Sequence, residues 1–280
     1  MEAQHREMPG VIQQKGNNTL YQGVENMGKL FSKAAIVTGG SRGIGRAIAL
    51  RLGREGAAVV VHYSASRDAA EEVVGEIQRS GGSAFAVGAD LSTLEGIRAL
   101  FAGVEQELHT RFGSTGIDIL VNNAGIGLTT TLEDTKEEDF DYLMSLNVKA
   151  PFFMIQQALP HLRKDGRIIQ ISSAVTRMSL PVIPAYSMSK AAVNGLTLSL
   201  ANQLGPRGIT INAIAPGFVA TDMNASMLQD SESRQFGANF SIFGRWGEPE
   251  DIADIAAFLA SPEGGWITGQ VIDASGGSHL

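Results

Sequence analysis

Tyr186 and Lys190 stand four residues apart in the run AYSMSK, and Ser173 lies thirteen residues before the tyrosine in IIQISS. In a helix beginning at Ala185, positions i and i+4 share a face, so the phenol and the ammonium enter one cleft. A nearby cation favours phenolate over phenol and draws a tyrosine pKa of about 10 toward neutrality. A tyrosine tuned in this way passes a proton to or from a substrate oxygen. Taken alone, Tyr-x-x-x-Lys also describes an amphipathic helix with a surface lysine. The surrounding chain decides between the two.

Positioning such a pair takes a scaffold, and the chain alternates short apolar runs with helical stretches. Strands are expected at residues 34–38, 58–62, 84–87, 117–121, 167–171, 210–214 and 271–273. Helices are expected at 43–53, 67–79, 93–111, 137–162, 185–204 and 249–259. Such alternation, with β-branched strands, marks an α/β Rossmann-type, doubly wound parallel sheet with helices on both faces. With no second core or linker in sight, residues 31–280 read as a single domain. Residues 1–30 are polar and lack periodicity, and read as a flexible N-terminal arm.

Composition narrows the chemistry. The 280 residues include no cysteine, which excludes disulfides, thiolate metal sites and cysteine nucleophiles. The five histidines are scattered, so no metal site is expected. A formal net charge of -7 argues against nucleic-acid or anionic-membrane partners. No apolar run reaches the roughly 18 residues of a membrane span. These features lead us to expect a cytoplasmic protein. The ending Ser278-His279-Leu280 suggests a peroxisomal address only for a eukaryotic source.

Between the first expected strand and helix lies TGGSRGIG, with glycines at 39, 43 and 45. These glycines permit a tight turn and let backbone N–H groups approach a pyrophosphate at a helix N-terminus. The spacing Gly-x-x-x-Gly-x-Gly, joined to Ser173, Tyr186 and Lys190, resembles the short-chain dehydrogenase/reductase family over almost all of residues 33–277. The chain is most similar to the β-ketoacyl-acyl-carrier-protein reductases and related carbonyl reductases. VNNAG (121–125), Asp90 in GADLS, Asn147 in SLNVKAPFF, APGFVATDM (215–223) and GQVIDASGG near the C-terminus extend the resemblance.

The resemblance implies catalytic roles for Asn147, Ser173, Tyr186 and Lys190. Tyr186 would be the proton donor, Ser173 would orient the substrate oxygen, and Lys190 would lower the phenol pKa and hold the nicotinamide ribose. Asn147 would anchor a water leading from Lys190 to solvent. Expected cofactor contacts, beyond Tyr186 and Lys190, are Gly39, Ser41, Arg42, Gly43, Ile44, Gly45, Tyr63, Ser64, Arg67, Asp90, Leu91, Asn123, Ala124, Gly125, Pro216, Gly217, Val219 and Thr221. The resemblance also implies a homotetramer joined through the helices at 137–162 and 185–204.

An acidic residue ending the second strand would hydrogen-bond the adenosine ribose and repel a 2′-phosphate. That place is held by Tyr63, followed by Ser64, with Arg42 and Arg67 close in sequence; these cations and donors favour NADP(H). The expected activity is NADPH-dependent reduction of a small-molecule ketone: a 3-oxoacyl, polyketide-like or other apolar carbonyl. Two alternatives stand beside it, an NAD-linked alcohol or sugar dehydrogenase and a non-catalytic NADP-sensing scaffold. Residues 222–247 occupy the place of a substrate lid. Their apolar side chains face a substrate, the protein itself or a neighbouring subunit.

Overall fold

A computed structural model describes residues 28–278. Most of the expected N-terminal arm and the last two residues lie outside the described residues. At the start of the described chain, Leu30 is buried and its N–H donates to Glu55 O at 2.8 Å. Residues 28–30 therefore belong to the packed domain.

Seven parallel strands form one sheet: β1 (Ala34–Val37), β2 (Ala58–Tyr63), β3 (Ser83–Gly88), β4 (Ile117–Asn122), β5 (Leu162–Ile171), β6 (Thr210–Pro216) and β7 (Val271–Ala274). The spatial order is β3-β2-β1-β4-β5-β6-β7. Strand order reverses between β1 and β4, and a crevice opens there beyond the carboxyl ends of the strands. Both faces of the inner strands are buried, which is why AAIV and AVVV are apolar without alternation, and IDILV is apolar but for Asp118, which pairs with Lys33 and Arg163.

One face is covered by α1 (Gly43–Arg54), α2 (Arg67–Arg79) and α9 (Pro249–Ala260), packed through Ile48, Leu52, Val73, Ile77, Ile252 and Ala256. The other is covered by α3 (Leu94–Phe112), α5 (Ala150–Ala158) and α6 (Pro184–Leu204). Leu100, Val104, Leu108, Met154, Ile155 and Leu204 fill that second core.

The expected helix over 137–162 is not continuous. It consists of α4 (Glu137–Met144), a π-helical turn at Ser145–Lys149, and α5, which ends at Ala158. Pro151 has no N–H to donate to the Asn147 carbonyl four residues back, and its ring crowds that carbonyl. A wider turn relieves the crowding, and π turns of this kind are frequent at functional sites. Leu162, expected to end the helix, instead opens β5. That strand is irregular where Asp165 adopts φ 61° and the register with β4 shifts between Ile117 and Ile119.

Candidate active site

Three side chains meet at the carboxyl end of β5 and the first turns of α6. Pro184 starts α6 with a pre-set φ, so Tyr186 and Lys190 fall one turn apart on its inner face. Lys190 is 6% exposed, and its Nζ donates to Ile171 O at 2.8 Å. The same nitrogen lies 5.7 Å from the centroid of the Tyr186 ring. The Ser173 hydroxyl is hydrogen-bonded to the Tyr186 phenol. It also accepts from Val175 N at 3.3 Å. Ser172 turns the opposite way, donating to Asn194 Oδ1 at 2.6 Å, as the pleat requires.

The phenol acidity differs from the sequence expectation. Burial is the larger influence and raises the Tyr186 pKa; the hydrogen bond with Ser173 pulls it back only in part. Burial also lowers the Lys190 pKa to about 8. In the protein alone, low polarity favours the neutral form of both groups. The Lys190 nitrogen points to a backbone carbonyl, and the phenol acidity is set by burial first and Ser173 second.

Asn147 sits in the π-helical turn and is 1% exposed. Its carboxamide accepts from Ile126 N and donates to Ile126 O, both at 2.9 Å, and donates to Ser189 Oγ at 3.2 Å. Ser189 in turn donates to Tyr186 O at 2.7 Å. The Asn147 side chain thus ties the exit of β4 to the first turn of α6. Gly125 lies against this knot, where an added Cβ would be 3.0 Å from Asn147 Oδ1 and 3.6 Å from Lys190 Nζ.

The glycine-rich turn follows β1 directly. Gly39 and Gly43 have φ values of 61° and 54°, a region that favours glycine. A Cβ at Gly45 would stand 2.1 Å from Gly39 O, so only glycine fits there. The N-terminus of α1 has no side-chain cap and no acidic residue in its first turn. Its leading N–H groups remain available to an anion, and a diphosphate fits this glycine-lined, uncapped turn.

Three polar side chains fix the turn, and the expected roles change accordingly. Thr38 Oγ1 accepts from Asn123 N at 2.9 Å and from Ala124 N at 3.0 Å. Asn123 Nδ2 donates to Thr38 O at 2.8 Å and to Gly39 O at 3.1 Å. The Asn123 side chain is therefore spent on the turn itself. His62 approaches Gly39 N from the other side. Thr38 and His62 were not among the expected site residues. Their signal was a polar residue closing each of two apolar strand runs.

Around the crevice, the Arg42 guanidinium is exposed and has no hydrogen bond or ion pair among the described residues, unlike Arg46, which pairs with Glu76. Ser64 and Arg67 are exposed just beyond β2, Arg67 lying 3.8 Å from Glu71 of its own helix. The Tyr63 ring covers Gly88, where a Cβ would be 2.7 Å from the ring. Asp90 is exposed and accepts from Ser92 N at 2.9 Å. The Leu91 side chain is buried in the second core. The Val219 side chain is buried in the first core, and its backbone is bridged to Gly247. Thr221 faces the glycine turn, 3.4 Å from where a Gly43 Cβ would be. Pro216 ends β6, and Gly217 packs against Ser275. Ser41 and Ile44 lie in the turn and the first turn of α1.

Residues 222–247, which lack clear periodicity, contain two short helices, α7 (Ala225–Gln229) and α8 (Ser231–Phe240). Asp230 caps α8 by accepting from Ser233 N at 2.7 Å. Trp246 is 7% exposed, meets Phe218 edge to face, and donates to Arg234 O at 2.8 Å. Met223, Ile242 and Phe243 are exposed at 58%, 71% and 70%. Trp246 thus packs on the protein itself, while Met223, Ile242 and Phe243 are left exposed. Among the described residues no group of His, Asp and Glu could hold a metal, and no helix is long and apolar enough to cross a membrane.

Residues 39–279 match a family model described as enoyl-(acyl carrier protein) reductase. The 3-oxoacyl-[acyl-carrier-protein] reductase FabG of Staphylococcus aureus is 41% identical over 252 residues, 89% of this chain and 99% of its own. The crystal structure of the angucycline C-6 ketoreductase LanV with bound NADP superposes with a TM-score of 0.87 at 47% identity, covering 89% of this chain and 96% of LanV. A second LanV structure, with NADP and rabelomycin, gives a TM-score of 0.83 at 46% identity over 89% of this chain and 97% of that one.

Proposed function

Because the chain belongs to the short-chain dehydrogenase/reductase family, we propose that it is an NADPH-dependent ketoreductase in which Tyr186 protonates the oxygen of an apolar ketone. The observation that carries this reading is the buried cluster of Ser173, Tyr186 and Lys190 beside a glycine turn fitted to a diphosphate. The fold and the relatives support NADP(H) as the dinucleotide. The turn from Gly39 through Gly45 would hold its diphosphate. Arg42, Ser64 and Arg67 would hold its 2′-phosphate, Asp90 its adenine, and Lys190 with Thr221 its nicotinamide end. Bound there, it supplies hydride to the carbonyl carbon.

The chain's own groups do the rest. Burial keeps Tyr186 a phenol at neutral pH, which is the form a reduction needs. Ser173 donates to the substrate oxygen and holds it within reach of that phenol. As Tyr186 gives up its proton, the Lys190 ammonium faces a new anion. With its nitrogen 5.7 Å from the ring centre, that ammonium is close enough to attract the anion in a site of low polarity. Lys190 thus acts on the phenolate as it forms. Asn147 positions α6 through Ser189, and the water it was expected to anchor remains part of this proposal.

Exposed Met223, Ile242 and Phe243 support an apolar ketone, either polycyclic, like rabelomycin bound to LanV, or 3-oxoacyl. The family's homotetramer is carried over as part of the reading. It is supported by an apolar groove of Val148, Phe152, Val193 and Leu196 between α6 and the π-helical turn with α5. Following NADPH absorbance against a panel of polycyclic ketones and 3-oxoacyl thioesters tests the activity. Consumption with at least one ketone is expected, and consumption with none contradicts the reading.

A further inference from the structure

We propose that His62 is a positioning residue for the cofactor turn, a neutral imidazole strut joining the turn after β1 to the turn after β3. The proposal rests on the dinucleotide reading above. His62 is 2% exposed at the end of β2. Its Nδ1 accepts from Gly39 N at 3.0 Å, and its Nε2 lies 3.1 Å from Ala89 O. Its own carbonyl accepts from Gly40 N at 2.9 Å. Side chain and backbone together therefore occupy two consecutive N–H groups of the glycine turn.

The partners dictate the tautomer. An amide N–H can only donate, so Nδ1 presents its lone pair; Nε2 carries the proton and gives it to the Ala89 carbonyl. Burial supports the same form, lowering the His62 pKa to about 4. The ring is rigid, and it spans two loops that separate strands bring together. One loop holds Gly39, whose φ of 61° sets the direction of the diphosphate turn. The other leads from Ala89 straight into Asp90, at the adenine end of the crevice. From the opposite side, Asn123 grips Gly39 O at 3.1 Å. Gly39 is thus held at both its N–H and its carbonyl, by side chains from two different strands. The strut fixes the spacing between the diphosphate turn and the adenine turn before any ligand arrives, and such preorganisation improves affinity by lowering the ordering cost.

Asparagine and glutamine each reproduce one end of the strut. The His62→Asn carboxamide oxygen reaches the Nδ1 position and keeps the Gly39 bond. The longer His62→Gln side chain places an amide N–H near Nε2 and keeps the Ala89 bond. The experiment measures the NADPH Kd by fluorescence, the melting temperature, and kcat and KM with a reducible ketone, for wild type, His62→Ala, His62→Asn and His62→Gln. Leaving the Gly39 N–H buried and unpaired in His62→Ala should weaken NADPH binding about tenfold or more. Its rise in NADPH KM should exceed its fall in kcat by at least about fivefold. His62→Asn should restore most of the affinity and His62→Gln less. Should His62→Ala not fold, the ordering of the other two decides. A Kd within about twofold of wild type in His62→Ala, or equal Kd values for His62→Asn and His62→Gln, overturns the strut even if the melting temperature falls. Wild-type protein that binds no NADPH overturns the strut and the ketoreductase reading together.

Discussion

At Gly39 three side chains from the ends of β1, β2 and β4 hold the backbone in place: Thr38, His62 and Asn123. Across the crevice, Met223, Ile242 and Phe243 stand mostly in solvent on two short helices and their connections. The first region presents fixed backbone donors to a ligand whose shape does not vary. The second is exposed apolar surface, which the proposed function assigns to a ketone whose shape does. Phe218, just before the lid, gathers Phe236, Phe240 and Trp246 of the lid into an aromatic cluster that anchors it. Rigidity and adaptability are thus separated by the two sides of one cleft.

Substitutions sharpen that contrast. The largest effect is expected for Gly45→Ala, whose Cβ would strike Gly39 O and Asn123 Nδ2. Overpacking against backbone should cost about 3 kcal/mol in denaturant unfolding and impair NADPH binding with it. Next comes Arg42→Ala. Loss of a charge-assisted contact to a 2′-phosphate should raise the NADPH KM about tenfold to a hundredfold while leaving the NADH KM nearly unchanged. Wild-type preference for NADH would remove the basis for that assignment. Phe243→Ala should have the smallest effect on the fold, within about 0.5 kcal/mol, because its ring is already in water. The same variant should raise the KM for an apolar ketone a few-fold. A large loss of stability there would mean that the lid packs on the protein and is as fixed as the glycine turn.

How much was legible in the sequence follows the same division. The strands could be read because β1, β2, β4 and β6 are buried on both faces and therefore rich in apolar, largely β-branched residues. Tyr186 and Lys190 could be paired because α6 is a long helix whose period places them on one face. The π-helical turn at Ser145–Lys149 was hidden because its flanks carry an ordinary helical period, and only Pro151, four residues after Asn147, betrays it. The lid helices were hidden because each is short and exposed on several sides, so burial imposes no pattern. Thr38 and His62 escaped because hydrogen bonds between strand ends leave no periodicity. Phenol acidity also lay beyond the sequence. It depends on how dry the pocket is, and spacing sets only the partners.

The central claim is that Tyr186 gives its proton to the substrate oxygen, and Tyr186→Phe tests it with the ring retained and the hydroxyl removed. The measurement pairs an NADPH binding titration with turnover of the best ketone from the panel. The account predicts an NADPH Kd within about twofold of wild type and turnover lowered about a thousandfold or more. Turnover within about tenfold of wild type in a variant that still binds NADPH would contradict it.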